Sequence, residues 1–203
     1  MDFLEKHNII ITSLTAIYNI NLIKNNYDLL KDKDIQLLEI TKYGIYIFNV
    51  YDEFKTYQIV IYNSHISVIT TTLDIATKLI NKILYIYNKK AITMNELDIQ
   101  SINCKTNLNI HVKKKQLNLL NINIIKYDTH YKLKYKNALT RLFITGNATI
   151  HAKSLTTIIS MYQDIYGLKL IPILHLLNNH KNSWFSHLPF DIIELFCLYI
   201  CKC

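Results

Sequence analysis

The sequence predicts an α+β protein made of two pseudo-symmetric β-α-β-β-β-β-α repeats, which form one saddle-shaped antiparallel sheet with helices on its convex face. The first observation is a pair of similar hairpin-like segments, TYQIVIYNSHISVITT at 56–71 and TRLFITGNATIHAK at 140–153. The second is that other short alternating runs precede each hairpin in the same order. The third is that a segment with helical apolar spacing follows each hairpin.

The first repeat begins with a β-rich run at 8–20 and continues with helical spacing at 22–31. Alternating apolar residues then predict four strands, at 34–40, 44–51, 56–63 and 65–70. A closing helix is indicated by one apolar face, which is formed by Leu73, Ala76, Ile80, Ile83 and Tyr87.

The second repeat follows the same order, with a strand at 98–106 and a short helix candidate at 111–120. Strands are predicted at 122–125, 129–136, 138–145 and 147–152. The apolar face of its closing helix consists of Leu155, Ile158, Ile159, Tyr162 and Ile165.

We therefore expect one repeat at 1–90, a second at 91–170 and a helical extension at 171–203, with the segment NKKAITMNE joining the repeats. A meander of strands between two helices gives a sheet that is covered on one face only. The other face must stay open or meet a partner, and duplex DNA fits as a partner because it is nearly twofold symmetric, as the doubled fold is.

Composition limits the function further. The net charge of +8 favours a polyanionic partner, although abundant Lys and Asn are also typical of an AT-rich genome. No apolar run is long enough to cross a bilayer and MDFLEKHN does not resemble a signal peptide, so we expect an intracellular protein without a membrane partner. Cys104 and Cys197 are interpreted as reduced, buried thiols. Metal-ligand spacing and catalytic motifs are absent, so we expect neither cofactor nor enzyme activity.

These features together resemble the TATA-box-binding protein family over about residues 8–170. The segment NIIITS is similar to the start of the family's first repeat, with Asn8 and Thr12 in matching places, and IQSINCKT is similar to the start of its second repeat. TRLFITGNATIHAK resembles the fourth-strand signature, with Phe143 and Gly146 on the conserved Phe and Gly of that pattern.

The resemblance implies that the open face grips the minor groove of DNA and that two pairs of aromatic rings wedge between base steps. One ring of each pair matches Tyr43 and Tyr127, between the second and third strands, and the other matches Tyr62 and Phe143. A structural alternative is that these rings pack on cross-strand neighbours, because aromatic residues are favoured in strands.

Further DNA contacts are implied at the centre and rim of the sheet. Ser101 replaces a family Asn and Asn103 replaces a family Val, departures that leave open whether DNA is bound directly or only within a complex. The basic residues expected to reach phosphates are Lys42, Lys55, Lys126, Lys132, Lys134 and Arg141. Lys113–Lys115 is interpreted as a solvated helix face.

The C-terminal extension contains LPFDIIELFCLYI, which resembles the first helix of an F-box at 186–200, including the truncated form at the C-terminus of poxvirus proteins. That resemblance implies docking on a Skp-type adaptor of ubiquitin ligases. The alternative is an amphipathic helix that seals the domain edge or holds a partner subunit. The candidate partner-binding residues are Leu188, Pro189, Ile192, Leu195 and Phe196.

Three functions remain at this point. The first is a transcription initiation factor, encoded by an AT-rich DNA virus, that binds AT-rich promoter DNA and recruits polymerase or initiation factors in the nucleus or a cytoplasmic viral factory. The second is a non-enzymatic adaptor that recruits a ubiquitin ligase. The third is an assembly or transcription-complex subunit whose open sheet binds protein instead of DNA.

Overall fold

The computed structural model describes residues 3–21, 34–52, 55–120, 122–135 and 137–168, together with Pro189 and Ile192. Ten antiparallel strands and few helices occur in these residues, which confirms the α+β class. The chain packs as two compact units, residues 11–102 (the first unit) and residues 1–10 with those from 103 onward (the second unit). The repeat boundary at residue 90 and the extension from 171 stay predictions.

The elements follow the predicted order. They are α1 (Phe3–Lys6), β1 (Ile10–Asn19), β2 (Ile35–Ile40), β3 (Tyr46–Asp52), β4 (Lys55–Ile61), β5 (His65–Thr70), α2 (Leu73–Ile86), a 3₁₀ turn (Met94–Glu96), β6 (Asp98–Asn107), α3 (Lys114–Leu117), a second 3₁₀ turn (Asn118–Leu120), β7 (Asn123–Lys126), β8 (His130–Tyr135), β9 (Ala138–Phe143), β10 (Asn147–Ala152) and α4 (Leu155–Gly167).

In the first unit the strand order is β2-β3-β4-β5-β1, and helix α2 packs on β5. Alternate strand residues such as Phe48, Ile59 and Val68 are buried, because successive side chains of a strand point to opposite faces. They pack beneath the apolar stripe of α2, which includes Ile80 and Ile83. One face of this sheet therefore forms the core.

The second unit repeats that arrangement with the strand order β6-β10-β9-β8-β7 and helix α4 on β10 and β9. Leu133, Leu142 and Ile150 supply the sheet side of the core. Both long helices have a side-chain N-cap. The hydroxyl of Thr72 accepts a hydrogen bond from the N–H of Ile75 at 3.3 Å, and the hydroxyl of Ser154 accepts one from the N–H of Thr157 at 3.2 Å.

The strands predicted from alternation are present, and the closing helices lie at 73–86 and 155–167. The predicted helix at 22–31 lies outside the described residues. The helix candidate at 111–120 is shorter than expected, with one α-helical turn at 114–117 followed by a 3₁₀ turn. Helix α1 was not predicted, because four residues are too few to show an apolar period.

Candidate nucleic-acid interface

The first unit has one sheet face that α2 does not cover. Cross-strand partners on this face follow from the antiparallel register, in which Ile17 pairs with Ser67, Ser67 with Val60, and Val60 with Ile47. Their neighbours in sequence are the buried residues of the core. We call this surface the first open face. It includes Thr15, Ile17, Ile47, Val60, Ser67 and Ile69, and the register continues it to Asn49 and Gln58 and to Gln36 and Glu39 on the edge strand β2.

The second unit has an equivalent uncovered face with different chemistry. Arg141 is the register partner of both Thr149 and Lys132, while Leu139 is the partner of both His151 and Lys134. Lys105 lies two residues beyond Asn103 on β6, so the two side chains lie on the same side of the strand. The second open face consists of Asn103, Lys105, Lys132, Lys134, Leu139, Arg141, Thr149 and His151.

Two adjoining cavities lie on the second open face and share Thr149 as a wall. The larger, of about 470 Å³, is lined by Asn8 and Ile10 and by Lys105, Asn107 and Asn147. The smaller, of about 370 Å³, is lined by Asn103, Leu139, Arg141 and His151. Their walls present amide, hydroxyl, imidazole and cationic groups, which are the groups that bind phosphate and sugar oxygens.

Two hairpins carry the same local arrangement of aromatic rings. In the hairpin 62–65 the N–H of Tyr62 donates to the carbonyl of His65 at 2.8 Å, and the two rings stack with centroids 4.2 Å apart. In the hairpin 127–130 the N–H of Tyr127 donates to the carbonyl of His130 at 2.9 Å, and the rings stack at 4.7 Å. The shared pattern Y-x-[ST]-H produces both stacks, because the first and fourth residues close the turn.

The four predicted wedge aromatics lie at hairpin ends. Tyr43 is 72 % exposed in the β2–β3 turn, with the Lys42 ammonium 5.1 Å from its ring centre. Tyr62 follows β4, and Tyr127 occupies the β7–β8 turn. Phe143 ends β9 and connects to Tyr127 through His130, whose ring centre is 5.5 Å from that of Phe143. The structure therefore brings together one predicted pair, in the second unit.

The polar residues predicted for the sheet centre have specific partners. Ser101 is half-buried in the first unit, and its hydroxyl donates to the Thr15 hydroxyl at 3.1 Å. Asn103 and His151 are joined through Oδ1 and Nδ1 at 2.8 Å. Asn8 lies just before β1 with a φ of 51° and borders the larger cavity. Thr12 is an exposed residue of β1.

The predicted phosphate-binding residues divide between the two sides of the sheets. Lys132, Lys134 and Arg141 belong to the second open face, and Lys42 lies beside Tyr43. Lys126 is the register partner of the buried Tyr131, so it lies on the helix side of an edge strand. Lys55 is the partner of Asp52, whose carboxylate binds Lys78 of α2 at 2.7 Å, so it also lies on the helix side.

Sequence reasoning missed three residues of this candidate interface, Lys105, His65 and His130. Lys105 could have been found by continuing the two-residue period of β6 beyond Asn103. The two histidines could have been found by comparing YNSH at 62–65 with YDTH at 127–130. These turns belong to different hairpins of their repeats, so aligning the repeats does not reveal them.

Cys104 is a free, buried thiol, as predicted, and burial raises its pKa to about 11. The sulfur is therefore protonated at neutral pH. Cys197 lies outside the described residues. Across the described part of the chain, no three His, Cys, Asp or Glu residues are grouped as metal ligands would be. Its helices also include none with the length and apolar character of a membrane span.

Most of the predicted adaptor-docking residues, Leu188, Leu195 and Phe196, lie outside the described residues. Pro189 and Ile192 are described and exposed, and the N–H of Ile192 donates to the carbonyl of Pro189 at 3.0 Å. This hydrogen bond closes a local turn and does not test docking on an adaptor, so the F-box resemblance stays a prediction.

No protein-family model and no curated protein matches the sequence. Among solved structures, Methanococcus jannaschii TBP is similar, with a TM-score of 0.61 over 79% of this chain and 97% of that chain. The fold is that of TBP. At 14% sequence identity the likeness extends to the fold alone. The TBP fold accounts for the doubled strand order and for the placement of Tyr43 and Tyr127 between the second and third strands of their repeats.

Proposed function

We propose that this chain is a non-enzymatic DNA-binding factor of transcription initiation, which holds AT-rich duplex DNA against its two open faces. The observation that carries this proposal is that each unit has a helix-free sheet face with aromatic residues at its hairpin ends. In the second unit that face is also basic. Within the described strands, neither open face is filled by a segment of this chain.

The chemistry of these surfaces fits a deformable duplex. The side chains of Ile17, Val60 and Ile47 form an aliphatic part of the first open face. Such a surface suits the floor of the minor groove, where A·T pairs lack the protruding amino group of guanine. Rings at hairpin ends can enter base steps, and unstacking one step costs a few kcal/mol that wrapped protein surface can repay. AT-rich DNA includes flexible TA steps, which lowers that cost.

Three of the four candidate wedges are tyrosines, which affects the strength of binding. A phenol hydroxyl that enters a base step without a partner loses hydration at a cost of about 1–3 kcal/mol. Stacking of one base on an aromatic ring contributes about 1–3 kcal/mol. We therefore expect weaker kinking than four phenylalanines would produce.

The helix side of each unit is the proposed surface for polymerase or initiation factors. Tyr85 is 81 % exposed on α2. Lys113, which precedes α3, and Lys114, which begins it, are also exposed. Aromatic residues such as Tyr are enriched in protein interfaces, and polar, solvent-accessible groups form their rims. On this proposal the protein acts in the nucleus or in a viral factory, and viral origin is favoured by the AT-rich composition and by the poxvirus-like tail.

The proposal predicts that Tyr62→Ala combined with Phe143→Ala weakens binding to AT-rich duplex by about fivefold or more, because the stacking contact of Phe143 is lost together with the smaller net contribution of Tyr62. Fluorescence anisotropy at fixed salt measures this, and Tyr85→Ala is the matched control because it removes an aromatic ring on the helix side. Thermal melts of each variant report folding. Equal binding by wild type and the folded double variant would show that these rings do not contact DNA.

A further inference from the structure

Charge is distributed unequally between the two open faces. The described part of the first open face contains no Lys or Arg and includes one carboxylate, that of Glu39, the register partner of Ile47. The second open face contains Lys105, Lys132, Lys134 and Arg141. From residue 103 onward the described strands contain no acidic residue at all. The second open face is therefore a positively charged surface, and the described strands around it carry no acidic side chain.

The register places two of these cations directly opposite each other. Arg141 on β9 pairs with Lys132 on β8, and directly opposite Cβ atoms lie about 4.5–5.5 Å apart. Like charges in this position destabilise a sheet. A bound anion would relieve the repulsion, so the arrangement is unfavourable in the free protein and favourable on a polyanion.

Polar groups surround these cations in a way that suits phosphate. Arg141 and His151 line the smaller cavity with Asn103 and Thr149, and Lys105 lines the adjoining larger one. The guanidinium of Arg can donate two parallel hydrogen bonds to one phosphate group. Hydroxyl and amide groups beside it can donate to further backbone oxygens.

The first open face has the opposite character. Ile17, Val60 and Ile69 present methyl groups, and their polar neighbours Thr15 and Ser67 carry only hydroxyls. Such a surface cannot neutralise phosphates. Where the methyl groups of Ile17, Val60 and Ile69 meet the groove, they can distinguish A·T from G·C, because the guanine amino group would lose its water there without gaining a hydrogen bond.

We propose that the two open faces divide the recognition of duplex DNA, with the second open face binding the sugar-phosphate backbone and the first open face contacting base edges. This inference rests on the proposed DNA-binding function. It assigns affinity and salt dependence to the second unit and sequence preference to the first.

The proposed binding of the sugar-phosphate backbone by the second open face is tested with Lys132→Gln/Arg141→Gln in the full-length protein. The control variant is Lys55→Gln/Lys126→Gln. Both variants remove two positive charges, but the control residues lie on the helix side. Anisotropy titrations at several salt concentrations should show the slope of log K against log[salt] falling by about two for the first variant and staying unchanged for the control. The melting temperature of Lys132→Gln/Arg141→Gln at low salt should equal or exceed that of wild type, because the repulsion between Arg141 and Lys132 is removed.

The proposed sequence preference of the first open face is tested with Ile17→Thr/Val60→Thr, whose affinities for AT-rich and GC-rich duplexes are measured. We expect the ratio of the two affinities to fall by about fivefold or more while the salt slope stays unchanged. Lys132→Gln/Arg141→Gln should weaken binding to both duplexes by the same factor. Equal salt slopes for wild type and Lys132→Gln/Arg141→Gln, or a changed affinity ratio in that variant, would overturn the division. Failure of wild type to bind any duplex would instead reject the proposed function itself.

Discussion

At the residue scale, Thr140 is fully buried in β9, and its hydroxyl has no hydrogen-bond partner among the described residues. An unsatisfied buried hydroxyl destabilises the folded state. Thr140→Val keeps the shape of the side chain and replaces the hydroxyl with a methyl group. We therefore expect a gain of about 1 kcal/mol in the free energy of unfolding, measured by urea denaturation.

Thr106→Val provides the matched control for that experiment. Thr106 is also buried, but its hydroxyl donates to the carbonyl of His7 at 3.5 Å. Its replacement should lower stability or leave it unchanged, since a hydrogen bond is lost. If Thr140→Val were as destabilising as Thr106→Val, the Thr140 hydroxyl would have to be satisfied in solution.

Gly146 shows how far residue-level prediction from sequence reaches. The hairpin motif and the family resemblance both predict a glycine turn, and Gly146 has a φ of +89°. A further constraint is tertiary, because a Cβ on Gly146 would clash with the backbone carbonyl oxygen of Ile110. That contact joins segments more than thirty residues apart, so local sequence patterns cannot predict it.

At the element scale, helix α2 holds the segment that leads from the first unit's helix towards β6. The side-chain amide of Asn81 donates to the carbonyl of Ile92 at 3.0 Å and accepts from its N–H at 2.8 Å. Both backbone groups of the buried Ile92 are thereby satisfied. One side chain thus fixes the course of the connection.

Asn81→Ala should lower the free energy of unfolding by about 1–3 kcal/mol, because two hydrogen bonds are lost and buried backbone groups are left unsatisfied. Urea denaturation measures the change. Tyr85→Ala on the same helix is the control and should change stability little, since Tyr85 is 81 % exposed. A loss no larger than that of the control would mean that water satisfies Ile92 equally well.

Elements were easier to predict than their faces. Two-residue alternation identified strands such as β4, β5 and β10, because one side of each packs in a core. Four residues are too few to predict the face of the short edge strand β7, and Lys126, which the resemblance predicts as a phosphate-binding residue, lies on the helix side of that strand. Aromatic residues at turns were predicted, but their stacking on His65 and His130 depends on which residues close each hairpin.

At the scale of the whole molecule, a TBP fold persists with little sequence identity to the archaeal protein it resembles. The apolar period of strands and helices maintains such a fold, and many side chains can satisfy it. The residues of the open faces are free of that requirement, so their chemistry can change. Asn103 illustrates this, since it stands on the second open face at a position where the pattern that the sequence resembles has Val.

The most direct measurement of the central claim is the end-to-end distance of an AT-rich duplex carrying a donor and an acceptor dye at its two ends. On binding of the full-length protein, we predict a shorter distance, because the rings at the hairpin ends kink the duplex. The change should be lost in Tyr62→Ala/Phe143→Ala and reversed by high salt. An unchanged distance at protein concentrations where anisotropy shows saturation would contradict the claim that the open faces hold a bent duplex.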